Sequence, residues 1–356
     1  MNDGNDYHSH DRHKTLLIVE GAHEKDVFFR QIIELFPLLD IHEENIVIFN
    51  SNIYNLNKKI EAEYGEDWDD IEIDLPYLLG KQDGRDLRLE DFRDVFIVFD
   101  FDPQDTFFSA DTIRKIQRHF NNSTEEGKLY INYPMVESYL HFKALPDDEY
   151  MERRILLNEI KYRENVCIGY KETVKKDSAI LSALSLYSSV PAFLQAAPAL
   201  REKRKSFAEA VRNTDFTDCD NKEAVYSKLI SLSEFGEEAS DKKNTNIFKL
   251  AAEIYKIFSL KLSGKTLREK AHRIYQETTL YSVRKSALLQ ARVLTAEDTY
   301  GKERELFESI EHEEILHRQL DLLDNDGAIS VINTAVLIIP EYSYDLLISE
   351  VKRRIT

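Results

Sequence analysis

The stretch VFIVFDFDPQD, residues 95–105, places two carboxylates directly after an apolar run. Val95 to Phe99 are apolar without alternation, which is typical of a strand that is buried on both faces. In an extended chain, residues separated by one point to the same side, so Asp100 and Asp102 are predicted to lie together. Two carboxylates that close repel each other unless a proton or a cation lies between them. The spacing therefore indicates a cation site at the end of this strand.

Three further acids follow apolar runs. Glu20 ends the run TLLIVE and precedes Gly21, which allows a tight turn into the next helix. Glu24, four residues later, falls on the same side as Glu20 if that helix begins at once. Glu137 comes in the first turn of a helix that is predicted to begin near Pro134. Because ligands of open parallel sheets gather at the carboxyl ends of the strands, these acids and the aspartate pair are expected at one edge.

Such a cluster offers only hard oxygen ligands, without a cysteine or a firmly placed histidine. It favours Mg²⁺ or Mn²⁺ over zinc or copper. Two such ions, about 3.5–4 Å apart, would hold a phosphate between the attacking and the leaving oxygen. The predicted metal ligands are Glu20, Glu24, Asp100, Asp102 and Glu137.

Each acid also has a simpler interpretation. Glu20 could stabilise a helix N-terminus, where an acid contributes about 0.3–1 kcal/mol. Asp100 and Asp102 could be turn residues ahead of a proline, and Glu24 and Glu137 could be surface residues of helices. The sequence leaves these alternatives open.

The elements that would position the acids alternate between strands and helices over the first 145 residues, which predicts an α/β fold with a mostly parallel sheet flanked by helices. An acidic insertion interrupts the alternation at about residues 65–92. The predicted strands are TLLIVE (15–20), NIVIFN (45–50), VFIVFD (95–100) and KLYINYP (128–134).

Long helical patterns follow from about residue 150, and the segment AISVINTAVLIIP (328–340) is predicted to form one long strand or two short ones. The predicted organisation is a disordered N-terminal tail (1–13), a catalytic α/β domain (14–150), and a mainly helical domain with a small C-terminal β element (151–356).

The net charge of −18 lies entirely in residues 1–150, where 33 acidic residues face 15 basic ones. An acidic chain argues against general binding to nucleic acid, which depends on neutralising phosphates. The remaining residues are balanced, however, and include the basic clusters KETVKK, REKRK, KTLREKAHR and VRK, which could hold a phosphate backbone. No apolar run approaches the roughly 18 residues of a membrane span. With only two cysteines and a polar N-terminus, the protein is expected in the cytoplasm, without a membrane partner.

The motif LLIVEGAHEKDVFF, followed about 80 residues later by VFDFD, resembles a Toprim domain, the fold shared by topoisomerases, primases and certain nucleases. Glu20 matches the glutamate of its V-E-G turn, and Asp100 and Asp102 match its D-x-D. Glu24 gives V-E-G-x-x-E, which is similar to the OLD-type nucleases of bacterial defence systems. The segment INYPMVESYLHF resembles the continuation seen in Toprim-like defence proteins encoded beside an ATPase, with Glu137 as its acid.

The resemblance covers residues 14–145 and implies a Toprim-like (Rossmann-like) core that acts as an Mg²⁺- or Mn²⁺-dependent endonuclease on DNA or tRNA. It also implies a toxic effector of anti-phage defence, acting by abortive infection. Because the chain has no credible nucleotide-binding motif, a separately encoded ABC/SMC-like ATPase is the expected partner. OLD-type enzymes also use a downstream lysine, for which Lys176 is the candidate, beside Lys171 and Lys175. A homodimer is expected as well.

Two other functions remain open. A Toprim-like fold also serves nucleotidyl or strand-transfer chemistry, as in primases and topoisomerases. Alternatively, the chain is a non-enzymatic assembly or sensor subunit in which the acid cluster is structural.

Overall fold

The computed structural model describes residues 14–81, 84–159, 162–163, 166–176, 178–193, 204–232, 245–290 and 303–344. The chain forms two compact units. We call the first the sheet unit; its described residues come from Met1–Ser138, Arg154–Glu159 and Ser282–Thr356. The second, the helical unit, comprises the described residues of Tyr139–Arg153 and Ile160–Tyr281. The tail predicted to be disordered (1–13) lies outside the described residues.

A five-stranded sheet forms the centre of the sheet unit. Its strands are β1 (Lys14–Val19), β2 (Ile46–Ile48), β3 (Phe92–Asp100), β4 (Asn121–Asn122) and β5 (Gly127–Asn132), in the spatial order β2-β1-β3-β5-β4. The strand β1 pairs in parallel with β2 and with β3, and β3 pairs in parallel with β5. The two-residue β4 is antiparallel to β5. The predicted α/β fold with a mostly parallel sheet is confirmed.

Helices cover this sheet. They are α1 (Arg30–Leu35), α2 (Ile53–Tyr64), α3 (Leu75–Gly80) and α4 (Ala110–His119), and a π-helical segment, Glu24–Phe29, precedes α1. Consecutive residues of β1 and β3 are buried, so both faces of these strands are covered, which explains why their sequences are apolar without alternation. Side chains cap three of the helices: Asn52 accepts a hydrogen bond from Asn55 N–H, Asp74 accepts one from Tyr77 N–H, and Ser109 accepts one from Thr112 N–H.

The acidic insertion predicted at about 65–92 contains α3 and two short 3₁₀ segments, Trp68–Asp70 and Leu89–Asp91. Trp68 anchors it, since the indole is fully buried and contacts the rings of His119 and Phe120. The insertion is therefore packed onto the sheet unit despite its charge.

Helices dominate the second half of the chain. After β6 (Arg154–Leu156), which belongs to the sheet unit, β7 (Tyr162–Arg163) and β8 (Val166–Cys167) form a small antiparallel pair. The helices that follow are α5 (Ile168–Lys175), α6 (Ala179–Phe193), α7 (Arg204–Arg212), α8 (Lys222–Leu232), α9 (Thr245–Phe258) and α10 (Leu267–Leu289). In the helical unit, α9 packs against α6 and α8, and buried Leu184, Leu229 and Ile254 contribute to its core.

The C-terminal part differs from the prediction. It contains α11 (Glu303–Glu308), α12 (His312–Asp326), β9 (Ala328–Ser330) and α13 (Ile338–Tyr342). The predicted strand 328–340 is wrong beyond Ser330, apart from one bridge at Ile332, because Ala335–Leu337 is a 3₁₀ turn that leads into α13. The run is buried throughout, and an apolar run without alternation does not distinguish a buried strand from a buried helix.

The division into units also differs from the predicted boundary at residue 150. Backbone hydrogen bonds explain the difference: β9 pairs with β6, and Ile332 and Tyr133 exchange two N–H···O bonds of 2.9 Å. The C-terminal segment therefore belongs to the sheet unit. None of the helices in the described part of the chain combines the length and the apolar character of a membrane-spanning helix.

Substitution of Asn333 measures how much this C-terminal segment stabilises the sheet unit. Its side chain donates to Val136 O (2.7 Å) and accepts from Val336 N–H (3.0 Å), and all three residues are buried. Asn333→Ala leaves a buried carbonyl and a buried N–H without a partner, at a cost of about 1–3 kcal/mol for each. We expect urea denaturation to show a free energy of unfolding lower by about 2–6 kcal/mol, the sum for the two groups.

The control is Asn325→Ala, because Asn325 donates a similar bond to Asp321 O at an exposed position of α12. Its effect should stay within about 0.5 kcal/mol. Equal effects of the two substitutions would show that Asn333 has no special role.

Candidate functional site: a carboxylate cluster in the sheet unit

The sheet unit contains all five predicted acids. Asp100 is the last residue of β3, and Glu20 follows β1 directly, with its N–H donating to Val98 O (3.1 Å). Glu24 begins the π-helical segment, and Glu137 lies in a 3₁₀ segment, Val136–Leu140, after β5. Because β1, β3 and β5 are parallel neighbours, their carboxyl ends lie at the same edge of the sheet. We call these four acids and Asp102, which lies two residues after the end of β3, the carboxylate cluster.

Glu20 and Asp100 are joined by a hydrogen bond: Asp100 N–H donates to Glu20 Oε2 (3.1 Å). The Asp100 carboxylate in turn accepts from Val136 N–H (2.8 Å) and lies 3.5 Å from Asn132 Nδ2. Asp100 thus connects the ends of three parallel strands, although Glu20 and Asp100 are 80 positions apart in the chain.

The surroundings of Asp100 disfavour its charge. Burial raises the pKa of this carboxyl well above its usual range, and the charges of Glu20, Glu24, Asp102 and Glu137 raise it further. All four of the other acids are therefore close enough to repel it. A proton or a cation at this position would remove that repulsion.

Glu24 is buried, with a carboxylate that lies against the turn of Gly21. A Cβ atom on residue 21 would lie 3.0 Å from Glu24 Oε2, so a side chain here would push the carboxylate away. The absence of a side chain at Gly21 therefore leaves the space that the Glu24 carboxylate occupies.

Glu137 is fully buried and forms an ion pair with His23, whose Nε2 lies 3.2 Å from Glu137 Oε1. The helix predicted to begin near Pro134 is a short 3₁₀ segment that begins at Val136 and ends at Leu140. His23 is not among the residues predicted from the sequence. Its only signal is its position between Glu20 and Glu24 in the turn after β1.

Asp102 does not follow the predicted extended geometry, since its φ of 40° is left-handed. The chain turns at this residue, and Asp105 N–H donates to Asp102 O (3.1 Å). Alternation along a strand therefore fails to explain how Asp102 approaches Asp100. Aspartate tolerates this conformation better than most residues, and here Gln104 Nε2 donates to Asp102 Oδ1 (2.7 Å).

The loop after β3 is held by α2. The hydroxyl of buried Tyr54 donates to Phe101 O (2.8 Å), and Asn52 Nδ2 donates to Asp105 Oδ2 (2.7 Å). Burial raises the pKa of Tyr54, and the charges of Asp102, Asp105 and Glu20 raise it further, so Asp105 is a sixth acid near the cluster. Neither Tyr54 nor Asp105 is marked by any motif in the sequence.

Lys176, the candidate lysine, is an exposed residue in the turn after α5, where its N–H donates to Glu172 O (3.1 Å). Lys171 and Lys175 belong to α5 itself. All three lie in the helical unit, which contains none of the cluster acids.

The donor chemistry of the cluster fits Mg²⁺ or Mn²⁺, because it consists of carboxylate oxygens with one imidazole beside them. In the described part of the chain, however, no three His, Cys, Asp or Glu side chains are already arranged as ligands of one ion. Glu20 and Asp100 instead accept bonds from backbone N–H groups.

Comparison of the chain with protein-family models, with curated proteins and with solved structures found no match. The interpretation of the cluster therefore depends on its own geometry and on the sequence motifs.

The repulsion at Asp100 leads to a prediction about stability and pH. A buried carboxyl with a raised pKa keeps its proton when the unfolded chain has lost it, so stability decreases as pH rises above the unfolded value of 3.8. Asp100→Asn removes this effect and keeps an oxygen for Val136 N–H. In metal-free buffer, we expect the variant to unfold at a higher temperature than the wild type at pH 7. The difference in the free energy of unfolding between the variant and the wild type should grow by up to about 1.4 kcal/mol per pH unit. This growth should occur between the pKa of Asp100 in the unfolded chain and its pKa in the folded protein.

Asp86→Asn is the matched control, because Asp86 is exposed and pairs only with the surface residue Arg88 among the contacts described. Loss of such an ion pair changes stability by about 0–1 kcal/mol. A wild type that is as stable as Asp100→Asn across the whole pH range would contradict the repulsion.

Proposed function

We propose that the protein is a nuclease that hydrolyses phosphodiester bonds with Mg²⁺ or Mn²⁺ bound at the carboxylate cluster. The observation that supports this most is the convergence on Asp100. Glu20 accepts its N–H, and four other acids raise the pKa of its buried carboxyl. Acids that repel each other in a buried place destabilise the fold unless a cation shares them, and divalent cations are what carboxylate clusters hold.

In this proposal, Glu20, Asp100 and Asp102 supply the first oxygen ligands, and Glu24 and Glu137 support a second ion. A bound cation would supply Lewis-acid polarisation of a phosphate and a bound water of lowered pKa. The chain contributes position: Val136 N–H orients the Asp100 carboxylate, and His23 holds Glu137 at 3.2 Å. The loop that carries Asp102 is fixed to α2 by the Tyr54 hydroxyl.

The Toprim resemblance agrees with this arrangement. In a Toprim domain, the V-E-G glutamate and the D-x-D pair have to lie close together to act on the same phosphate. The strands that carry them here, β1 and β3, are parallel neighbours. We therefore propose a Toprim-like nuclease, similar to the OLD type, that acts on DNA or tRNA as a toxic effector of anti-phage defence. Regulation by a separate ABC/SMC-like ATPase, a cytoplasmic location and a homodimer are parts of the same proposal, and they depend on the resemblance alone.

One observation favours a second candidate, a non-enzymatic assembly or sensor subunit. Glu20 and Asp100 already accept hydrogen bonds from backbone N–H groups, which is how structural acids stabilise strand ends. In that case the cluster would not bind metal at all.

Isosteric amide substitutions distinguish the two candidates. Glu20→Gln and Asp102→Asn keep the size and one oxygen acceptor of each side chain, and asparagine tolerates the left-handed backbone at residue 102. Since loss of even an outer-shell partner costs 10–100-fold in metal affinity or activity, we expect loss of a direct ligand to weaken Mn²⁺ binding by about 100-fold or more. Isothermal titration with Mn²⁺ and Mg²⁺ measures this binding, and cleavage of plasmid, single-stranded DNA and total tRNA measures activity.

Glu44→Gln is the control, because Glu44 is exposed in the segment before β2, toward the opposite edge of the sheet. It should bind metal and cleave as the wild type does. Wild-type protein that binds neither ion would support the structural candidate, and metal binding without any cleavage would refute the nuclease.

A further inference from the structure

The loop between β3 and α4 exposes an aromatic ring beside the carboxylate cluster. Phe107 is 53% exposed, and the Lys58 ammonium lies over one face of its ring, 2.8 Å from the centroid. The ring of the next residue, Phe108, instead packs edge-to-face against the rings of Tyr54 and Phe101. The anchored Phe108 therefore holds Phe107 at the surface.

The same loop carries Asp102, and its turns keep Asp102 close to Phe107. Asp105 N–H donates to Asp102 O, and Phe108 N–H donates to Asp105 O, so two tight turns follow each other. Each turn spans less than 7 Å between its end Cα atoms, which places Phe108 within about 14 Å of Asp102. Phe107 is further fixed by its N–H, which donates to Asp105 Oδ1 (2.7 Å). A stacked strand rises about 3.4 Å per nucleotide, so this distance corresponds to at most about four nucleotides.

The charge of Lys58 is available for a ligand. Acids are abundant around this loop, yet no carboxylate in the described part of the chain lies within ion-pair distance of Lys58; its ammonium contacts the ring of Phe107 instead. Proteins that bind single-stranded nucleic acid combine these two features, an aromatic ring on which a base stacks and a cation that contacts the backbone. A base inside a continuous duplex has both faces covered and offers none to the ring.

We propose that Phe107 and Lys58 form a binding site for an unpaired base and its phosphate, next to the site of cleavage. The substrate of the proposed nuclease is then single-stranded or locally unpaired nucleic acid rather than continuous duplex. This inference rests on the proposed function. It adds a substrate class, which the carboxylate cluster alone does not define.

Binding is measured by fluorescence anisotropy in a Glu20→Gln background, which keeps the probe intact. The probes are mixed-sequence single-stranded DNA and RNA oligonucleotides and the corresponding fully paired duplex. We expect tighter binding of the single strands, and Phe107→Ala should weaken it about 5- to 150-fold, the effect of losing one stacked base. Phe107→Trp should restore it. Lys58→Gln should lower the slope of log affinity against log salt by about one, as loss of one phosphate contact does.

Leu38→Ala is the control, because Leu38 is a similarly exposed apolar residue (62%) in the segment before β2, toward the other edge of the sheet. It should bind as the parent does. Equal binding by Phe107→Ala and Leu38→Ala would overturn the inference, as would equal affinity for duplex and single strand.

Cleavage assays without the Glu20→Gln substitution separate this inference from the proposed function. Wild-type protein that cleaves single strands with Mn²⁺ while Phe107→Ala cleaves them equally well would refute only the stacking site. Absence of binding and of cleavage for every probe would refute the nuclease and the stacking site together.

Discussion

Repulsion between carboxylates at the end of β3 is the constraint on which the rest of the sheet unit depends. Asp100 is buried among four like charges, and the fold tolerates this because backbone donors fix the acids. Asp100 N–H bonds to Glu20, and Val136 N–H bonds to Asp100. The missing side chain of Gly21 makes room for Glu24, and His23 Nε2 contacts Glu137 Oε1 at 3.2 Å. Each acid is therefore supported by a different element.

The support extends to a part of the chain that lies about two hundred residues away. The Asn132 side chain accepts from Ala335 N–H, Thr334 Oγ1 donates to Ile131 O, and Asn333 donates to Val136 O. These three contacts hold the end of β5, from which the segment of Glu137 begins. The candidate catalytic part of the protein is therefore larger than residues 14–150, since the C-terminal segment fixes one of the strand ends that carry the acids.

The sequence predicted what depends on local pattern and missed what depends on tertiary contacts. The apolar runs of β1 and β3 revealed two buried parallel strands, and the acids that follow them were found for that reason. The left-handed turn at Asp102 and the pairing of His23 with Glu137 have no periodic signal. The helix at 335–342 was predicted as a strand because residues buried on all sides show no period. The domain boundary was misplaced because one strand pair joins β6 to β9, far apart in the chain.

The pattern of support also bears on whether the cluster is catalytic or structural. A structural role needs acceptors for the N–H groups of Asp100 and Val136, and Glu20 and Asp100 already provide them. Glu24 and Glu137 are also buried, although these two N–H groups already have their acceptors. Asp102, in the same cluster, adopts a left-handed backbone. Each adds repulsion at Asp100, so each lowers the stability of the metal-free fold. Strain and repulsion that concentrate in one place are typical of functional sites, where binding of a cation recovers the lost stability. This excess of acids over structural need is the physical argument that supports the proposed cation site.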